Sequence, residues 1–158
     1  MAAPRLSAAH AIFWGTVTVG VLDLLDAFVF FGMRGAAPRR ILQSIASGVL
    51  GRAAYQGGTR TAALGLLLHF FIAFGIVVVY FAATRLLPAL HRRPWLFGAA
   101  YGIVVYVVMN QVVVPLSAAA VGSGPTPVPV LINGLLIHIL GVGIPSALFT
   151  RAASGPPY

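Results

Sequence analysis

The chain has 158 residues, 59% of them hydrophobic and only 8% charged, with a formal net charge of +8 and a mean hydropathy of +0.97. Soluble domains run at about 25% charged residues, and a core of this size cannot hide so much apolar surface from water. Lipid is therefore the expected solvent for most of it, which excludes an ordinary soluble domain. The length fits one domain, with about 20 apolar residues needed per helical crossing.

The basic balance comes from Arg alone, since the sequence holds no Lys. A nucleic-acid surface would cluster its cations in a stripe. Here the Arg lie at the ends of apolar runs, where side chains snorkel to lipid phosphates. The bilayer is the expected partner and nucleic acid is not. Without Cys there is no disulfide, thiolate metal site or thiol nucleophile.

The first apolar run covers residues 8–33. Arg5 precedes it, as in a signal peptide, but the run is too long for an h-region, carries Asp23 and Asp26, and lacks a small-x-small cleavage site. It reads as a retained transmembrane helix. In residues 34–60 the apolar core, 41–50, is too short to span. Ile41, Leu42, Ile45 and Val49 recur there at helical spacing, while Arg39, Arg40, Gln43, Ser44, Ser47 and Arg52 are polar. This predicts an amphipathic helix over 38–55, lying on the membrane surface or re-entering the bundle. Pro38 starts it and Gly57 and Gly58 end it.

A second span is expected at 61–84. A basic turn follows, with Arg85, His91, Arg92 and Arg93 beside Pro88 and Pro94. A third span covers 95–119, then an uncharged turn rich in Pro and Gly at 122–129. The fourth span covers 130–150, closed by Arg151 and a short tail. Trp14, Trp95, Tyr80 and Tyr101 lie within a few turns of span ends, near where aromatic belts form. The predicted fold is all-α: an integral-membrane four-helix bundle with one short amphipathic or re-entrant helix after the first span. Four spans place both termini on one side. Arg5, Arg85, Arg92, Arg93 and Arg151 on that side balance Arg34, Arg39, Arg40, Arg52 and Arg60 on the other, so the positive-inside rule does not choose between the two orientations. The uncharged turn is easy to translocate, which favours cytoplasmic termini.

Asp23 and Asp26 are the only acids in the chain, and both sit inside an apolar run. A mid-membrane Asp costs roughly 2.5–3.5 kcal/mol on insertion scales. Followed through each crossing, Asp23, Asp26, His69, Asn110, Gln111, Asn133 and His138 all fall in the bilayer half facing loop 34–60. One buried polar cluster is expected there, with Asp23 or Asp26 sharing a hydrogen bond with His69, His138 or an Arg of loop 34–60, and Asp26, one turn nearer the loop, the better Arg partner. Small residues share faces with the polar ones: Thr16, Gly20 and Ala27 with Asp23; Gly65 and Ala73 with His69; Gly98 and Gly102 with Asn110; Gly134 and Gly141 with His138. Small faces let helix backbones approach in lipid, so these faces are expected to point inward. Pro115 and Pro145 would free the carbonyls of Gln111 and Gly141. The stretches GLLLH, 65–69, and GLLIH, 134–138, echo each other and suggest that the two hairpins are parallel repeats.

Several chemistries fit this set. The polar residues act as structural glue, or they form a working site for protons, a cation or a polar ligand. Asp23, Asp26, His69 and His138 also make a metal set. Two His facing each other at equal depth would ligate a b-type haem axially. Arg34, Arg39 and Arg40, with Ser44, suit a lipid phosphate. No Ser–His–acid order, phosphate loop or HExxH is present, so a non-enzymatic role is favoured.

Residues 43–88, beginning QSIASGVLGRAAYQGG, and residues 101–118, YGIVVYVVMNQVVVPLSA, resemble stretches in small bacterial inner-membrane proteins. The two stretches cover less than half of the chain. The resemblance implies a bacterial four-helix inner-membrane protein and assigns no activity and no site residue. The function expected from the residues is an accessory subunit of a larger membrane complex, or a self-associating or small transport component, with a buried acid–histidine site. The alternative is a haem-binding electron-transfer protein.

Overall fold

A computed structural model describes residues 6–119 and 125–154; Arg5, residues 122–124 of the predicted turn and the tail 156–158 lie outside them. Among the described residues the fold is made of five α-helical segments with short 3-10 turns and contains no strand. α1 is Ala8–Gly32, with the Ser7 hydroxyl accepting from the His10 amide at its start. α2 is Pro38–Leu50. Pro38 occupies the first turn, where a missing N–H leaves no helical bond unmade. Gly51, at φ 58°, ends it and a 3-10 turn, Gly51–Gln56, follows. α3 is Gly58–Leu86, α4 is Pro94–Leu116 and α5 is Val128–Ala153. α1, α3, α4 and α5 are each long and apolar enough to cross a membrane, and α2 is not.

The spans close tightly at the end that holds the termini. There the Leu6 amide donates to Ala152 O at 3.2 Å, so both described ends share one face. Glycines let the backbones of α4 and α5 touch. A Cβ on Gly98 would lie 2.9 Å from Ile144 Cα and 3.0 Å from Gly143 O. One on Gly102 would strike the His138 carbonyl, and one on Gly143 the Gly98 carbonyl. Ser146 and Thr150 return their hydroxyls to the carbonyls four residues back, each at 2.7 Å, which lets polar side chains sit fully buried here. Val19, Ala73, Val77, Val105 and Val142 form the core between the spans. Two aromatics depart from expectation. Tyr80 is 2% exposed and packs 4.9 Å, centroid to centroid, from Tyr101. Tyr101 donates to Ile76 O at 2.7 Å. Neither joins a belt: the Tyr101 hydroxyl reaches a neighbouring carbonyl, which lets that ring turn inward, and Tyr80 packs against it with its own hydroxyl buried and, among the described residues, without a hydrogen-bond partner. Trp14 and Trp95 are exposed.

At the other end α2 packs along the first turns of α3. The expected apolar stripe does not make this contact. Gln43, Ala46 and Ser47 are buried with Ile41, while Val49 is 62% exposed. The reason is backbone proximity. A Cβ on Gly65 would collide with the Leu42 carbonyl, so α2 seats itself by small and polar residues against a glycine. Gln43 Nε2 donates to Gly58 O at 3.0 Å and to Thr61 Oγ1 at 3.3 Å, and Thr61 donates to Ala54 O at 2.6 Å. These bonds tie α2, the 3-10 turn and the start of α3 together. The Ala118 amide donates to Gly48 O at 2.9 Å, which holds the end of α4 against α2 as well.

Both inner prolines leave the same trace. In α4 residues Met109–Val113, and in α5 residues His138–Gly143, form π turns immediately before Pro115 and Pro145. The amide preceding each proline bonds five residues back, Val114 to Met109 O and Ile144 to Ile139 O. The prolines are thus absorbed by inserting a residue into the helix rather than by leaving a helix broken.

Candidate intramembrane site

A cavity of about 750 Å³ opens between the spans at the α2 end. Its walls are mostly aliphatic: Val19, Leu24, Ile41, Ile45, Ile72 and Ile76 are among them. Asp23, His69, Asn110 and His138 supply polar groups from four different spans, and Arg40, Ser44 and Tyr55 supply them from α2 and the turn after it. A largely apolar hollow of this size with a few convergent polar groups has the character of a ligand site.

His69 is held from two sides. Its Nε2 lies 2.8 Å from Gly20 O, and a carbonyl only accepts, so Nε2 carries hydrogen. Gly20 carries a second close contact, since a Cβ there would press on the Phe70 ring at 2.5 Å. Nδ1 of His69 faces Asp23 Oδ2 at 3.9 Å. With Nε2 protonated, a neutral imidazole would turn its Nδ1 lone pair toward a carboxylate. The approach is favourable when one further proton sits on either partner, as imidazolium with carboxylate or as imidazole with carboxylic acid. At 3.9 Å the two atoms are near enough to interact electrostatically and too far apart for a direct hydrogen bond.

His138 has the opposite arrangement. Its Nδ1 donates to Gly134 O at 2.8 Å on its own helix, leaving Nε2 available, and its ring meets Tyr106 edge-on at 5.4 Å. Asn110 also turns back to its own helix, donating to Tyr106 O at 2.9 Å.

Asp26 stands beside this set. It accepts from Asn133 Nδ2 at 2.7 Å, a bond from α1 to the start of α5. The expected cluster is thus divided. Asp23, His69, Asn110 and His138 share the cavity, Asp26 and Asn133 form a separate pair, and Gln111 belongs to neither. Gln111 is exposed, with Val107, Val108, Val112 and Val113 exposed around it on the outer face of α4. It fails to turn inward because the inward side of this helix is already taken by Gly102, Val105 and Met109.

The basic loop also sorts itself. Arg34 donates to Phe30 O at 2.8 Å and lies 3.6 Å over the Phe30 ring. Arg39 is exposed. Arg40 lies 4.4 Å over the Tyr55 ring on the cavity wall. Among the described residues no Arg pairs with Asp23 or Asp26, against the expectation that Asp26 would take a loop Arg. Asn133 reaches Asp26 first because α5 starts at the same depth as the end of α1. Tyr55 joins the site with no sequence signal beyond being one aromatic in a polar loop.

The metal and haem readings meet this geometry differently. The described residues hold no group of three or more His and Asp placed to share an ion. A bis-histidine haem needs one free nitrogen from each ring aimed at a common iron. His138 presents Nε2 with Nδ1 on a carbonyl, as ligating histidines do. His69 commits Nε2 to Gly20 and turns Nδ1 to Asp23, which does not fit that arrangement. The echo of GLLLH and GLLIH also ends in unlike surroundings: Gly65 meets the Leu42 carbonyl of α2, and Gly134 meets the Tyr106 ring.

No family model, curated protein or solved structure matches the chain. The resemblance of 43–88 and 101–118 to small inner-membrane proteins gains no support from them.

Proposed function

We propose that this is a small transport component of a bacterial inner membrane, non-enzymatic, with cytoplasmic termini, and that its working site is the cavity under α2. The observation that carries this reading is the Asp23–His69 pair on the cavity wall. An ionisable pair is costly to keep in a membrane span, and one that faces an accessible hollow marks a route for a proton or a polar solute. Asp23 is placed to work and Asp26 to hold the helices together.

The test is infrared difference spectroscopy of the protein in lipid across a pH step. A carboxyl band should appear in the wild type, vanish in Asp23→Asn and persist in Asp26→Asn. A band that survives Asp23→Asn, or is absent from the wild type, would contradict the assignment of Asp23 as the proton-holding group.

A second reading, an accessory subunit of a larger membrane complex or a self-associating chain, is favoured by Gln111. Its amide is exposed on an otherwise aliphatic face of α4. Such amides hydrogen-bond across helices in lipid, contributing about 1 kcal/mol. If this reading holds, Gln111→Leu releases a partner or a second copy in detergent extracts and leaves the infrared band unchanged.

A further inference from the structure

We propose that the cavity binds a single-chain anionic amphiphile, its oxyanion head on Arg40 and its chain along the aliphatic walls. The proposal rests on reading this cavity as the working site and names the chemistry of what enters it.

Arg40 differs from its neighbours. Arg34 is committed to Phe30, by a carbonyl bond and by its ring. Arg39 lines no described cavity. Arg40 lines the cavity, and stacking over Tyr55 at 4.4 Å holds its guanidinium there. A stacked guanidinium keeps its in-plane N–H fork free, and that fork matches carboxylate and phosphate oxygens. No acidic side chain of the protein supplies the countercharge. The sequence has two acidic residues; Asp23 faces His69 and Asp26 is bonded to Asn133. The exposed cation on the cavity wall therefore calls for an anion from outside.

The rest of the cavity calls for hydrocarbon. Ile41, Ile45, Ile72, Ile76, Val114 and Val142 line it together with Arg40. A volume of about 750 Å³ lies within the range of sites for compact ligands, which favours one chain over two. An anionic head and one aliphatic chain describe a fatty acid carboxylate or a monoacyl phosphate. Both share the oxyanion chemistry that Arg40 reads.

The experiment uses the full chain in nanodiscs of phosphatidylcholine, with binding of oleate and of a monoacyl glycerol phosphate followed by native mass spectrometry. Saturable binding of one molecule per chain is expected from at least one of them. Binding by oleate assigns the carboxylate source, and binding by the monoacyl phosphate assigns the phosphate source. Arg40→Gln should weaken binding about tenfold or more, the loss of a hydrogen bond to a charged group, and Arg40→Lys should weaken it less. Arg39→Gln should leave it unchanged. Ile45→Trp, which fills the cavity without touching the charge, should abolish it, with the thermal midpoint reporting that the variant is folded. Equal weakening by Arg39→Gln and Arg40→Gln, or undiminished binding in Ile45→Trp, would place the amphiphile on the outer surface and overturn the proposal. So would a lack of saturable binding by either ligand. The wild-type protein separates the two readings. A carboxyl band with no saturable amphiphile binding sinks only this inference, and saturable binding with no carboxyl band sinks only the proton-holding role.

Discussion

The two ends of this bundle bring their helices together in opposite ways. At the terminal end, Gly98, Gly102 and Gly143 let α4 and α5 touch backbone to backbone, and Ser146 and Thr150 satisfy themselves within their own helix. At the α2 end the spans part around a cavity of about 750 Å³, and polar side chains bond between helices: His69 to Gly20 O, Asn133 to Asp26 and Gln43 to Gly58 O. Apolar burial drives little association inside a bilayer, so close packing and hydrogen bonds must do it. Between the spans, the terminal end relies mainly on the first and the α2 end mainly on the second. The end that relies on hydrogen bonds can leave space between its helices.

That contrast is open to test at each end. The largest effect should come from Gly143→Val. The added side chain meets the Gly98 carbonyl and the Gly102 backbone, neither of which can swing aside. Overpacking of this kind costs about 3 kcal/mol or more, and the variant should lose its folded peak in size-exclusion chromatography. A next, smaller effect belongs to the polar end. Asn133→Leu leaves Asp26 without its donor, which should cost about 1–3 kcal/mol and lower the thermal midpoint in detergent while the protein stays monodisperse. An unchanged midpoint would mean that the Asp26–Asn133 bond contributes nothing to holding α1 against α5.

The smallest effect lies outside the spans, in the turn Pro88–His91. Burial lowers the His91 pKa below its ordinary value, and Arg85 and Arg151 lower it further. The unfolded chain therefore binds a proton there more readily than the folded one. Stability should be full at pH above the ordinary histidine value of 6.5, fall as pH drops through it, and level off below the folded value. His91→Gln should flatten that part of the stability–pH curve. An identical curve would remove His91 from the account.

The spans are legible in the sequence because their signal is repeated many times over: every apolar run of sufficient length forms a helix within a few residues of its expected bounds. The inward direction of the glycine faces is legible for the same reason, since a small side chain has one use in a lipid-facing helix. Partner choice is not. Asp26 takes Asn133 rather than a loop Arg because two helix ends lie at one depth, and no sequence pattern records that. Gln111 follows Asn110 in sequence, yet one residue turns the side chain by about 100° on a helix, enough to leave the cavity for the outer face. The prolines predict freed carbonyls, but not the π turns that absorb them. The packing face of α2 cannot be read from its own apolar stripe because Gly65, a residue of another helix, decides it.

The most direct test of the central claim, that the α2 end is open and the terminal end closed, uses the absence of Cys from the chain. Single substitutions Ile72→Cys, on the cavity wall, and Ala147→Cys, in the closed end at 1% exposure, give one thiol each. Each variant in sealed vesicles is treated with a charged, membrane-impermeant thiol reagent from one side and then the other. Ile72→Cys should react from the side that carries α2, and Ala147→Cys should stay unreacted from both. Equal protection of the two thiols would contradict an open polar half, and equal reactivity would contradict a closed one.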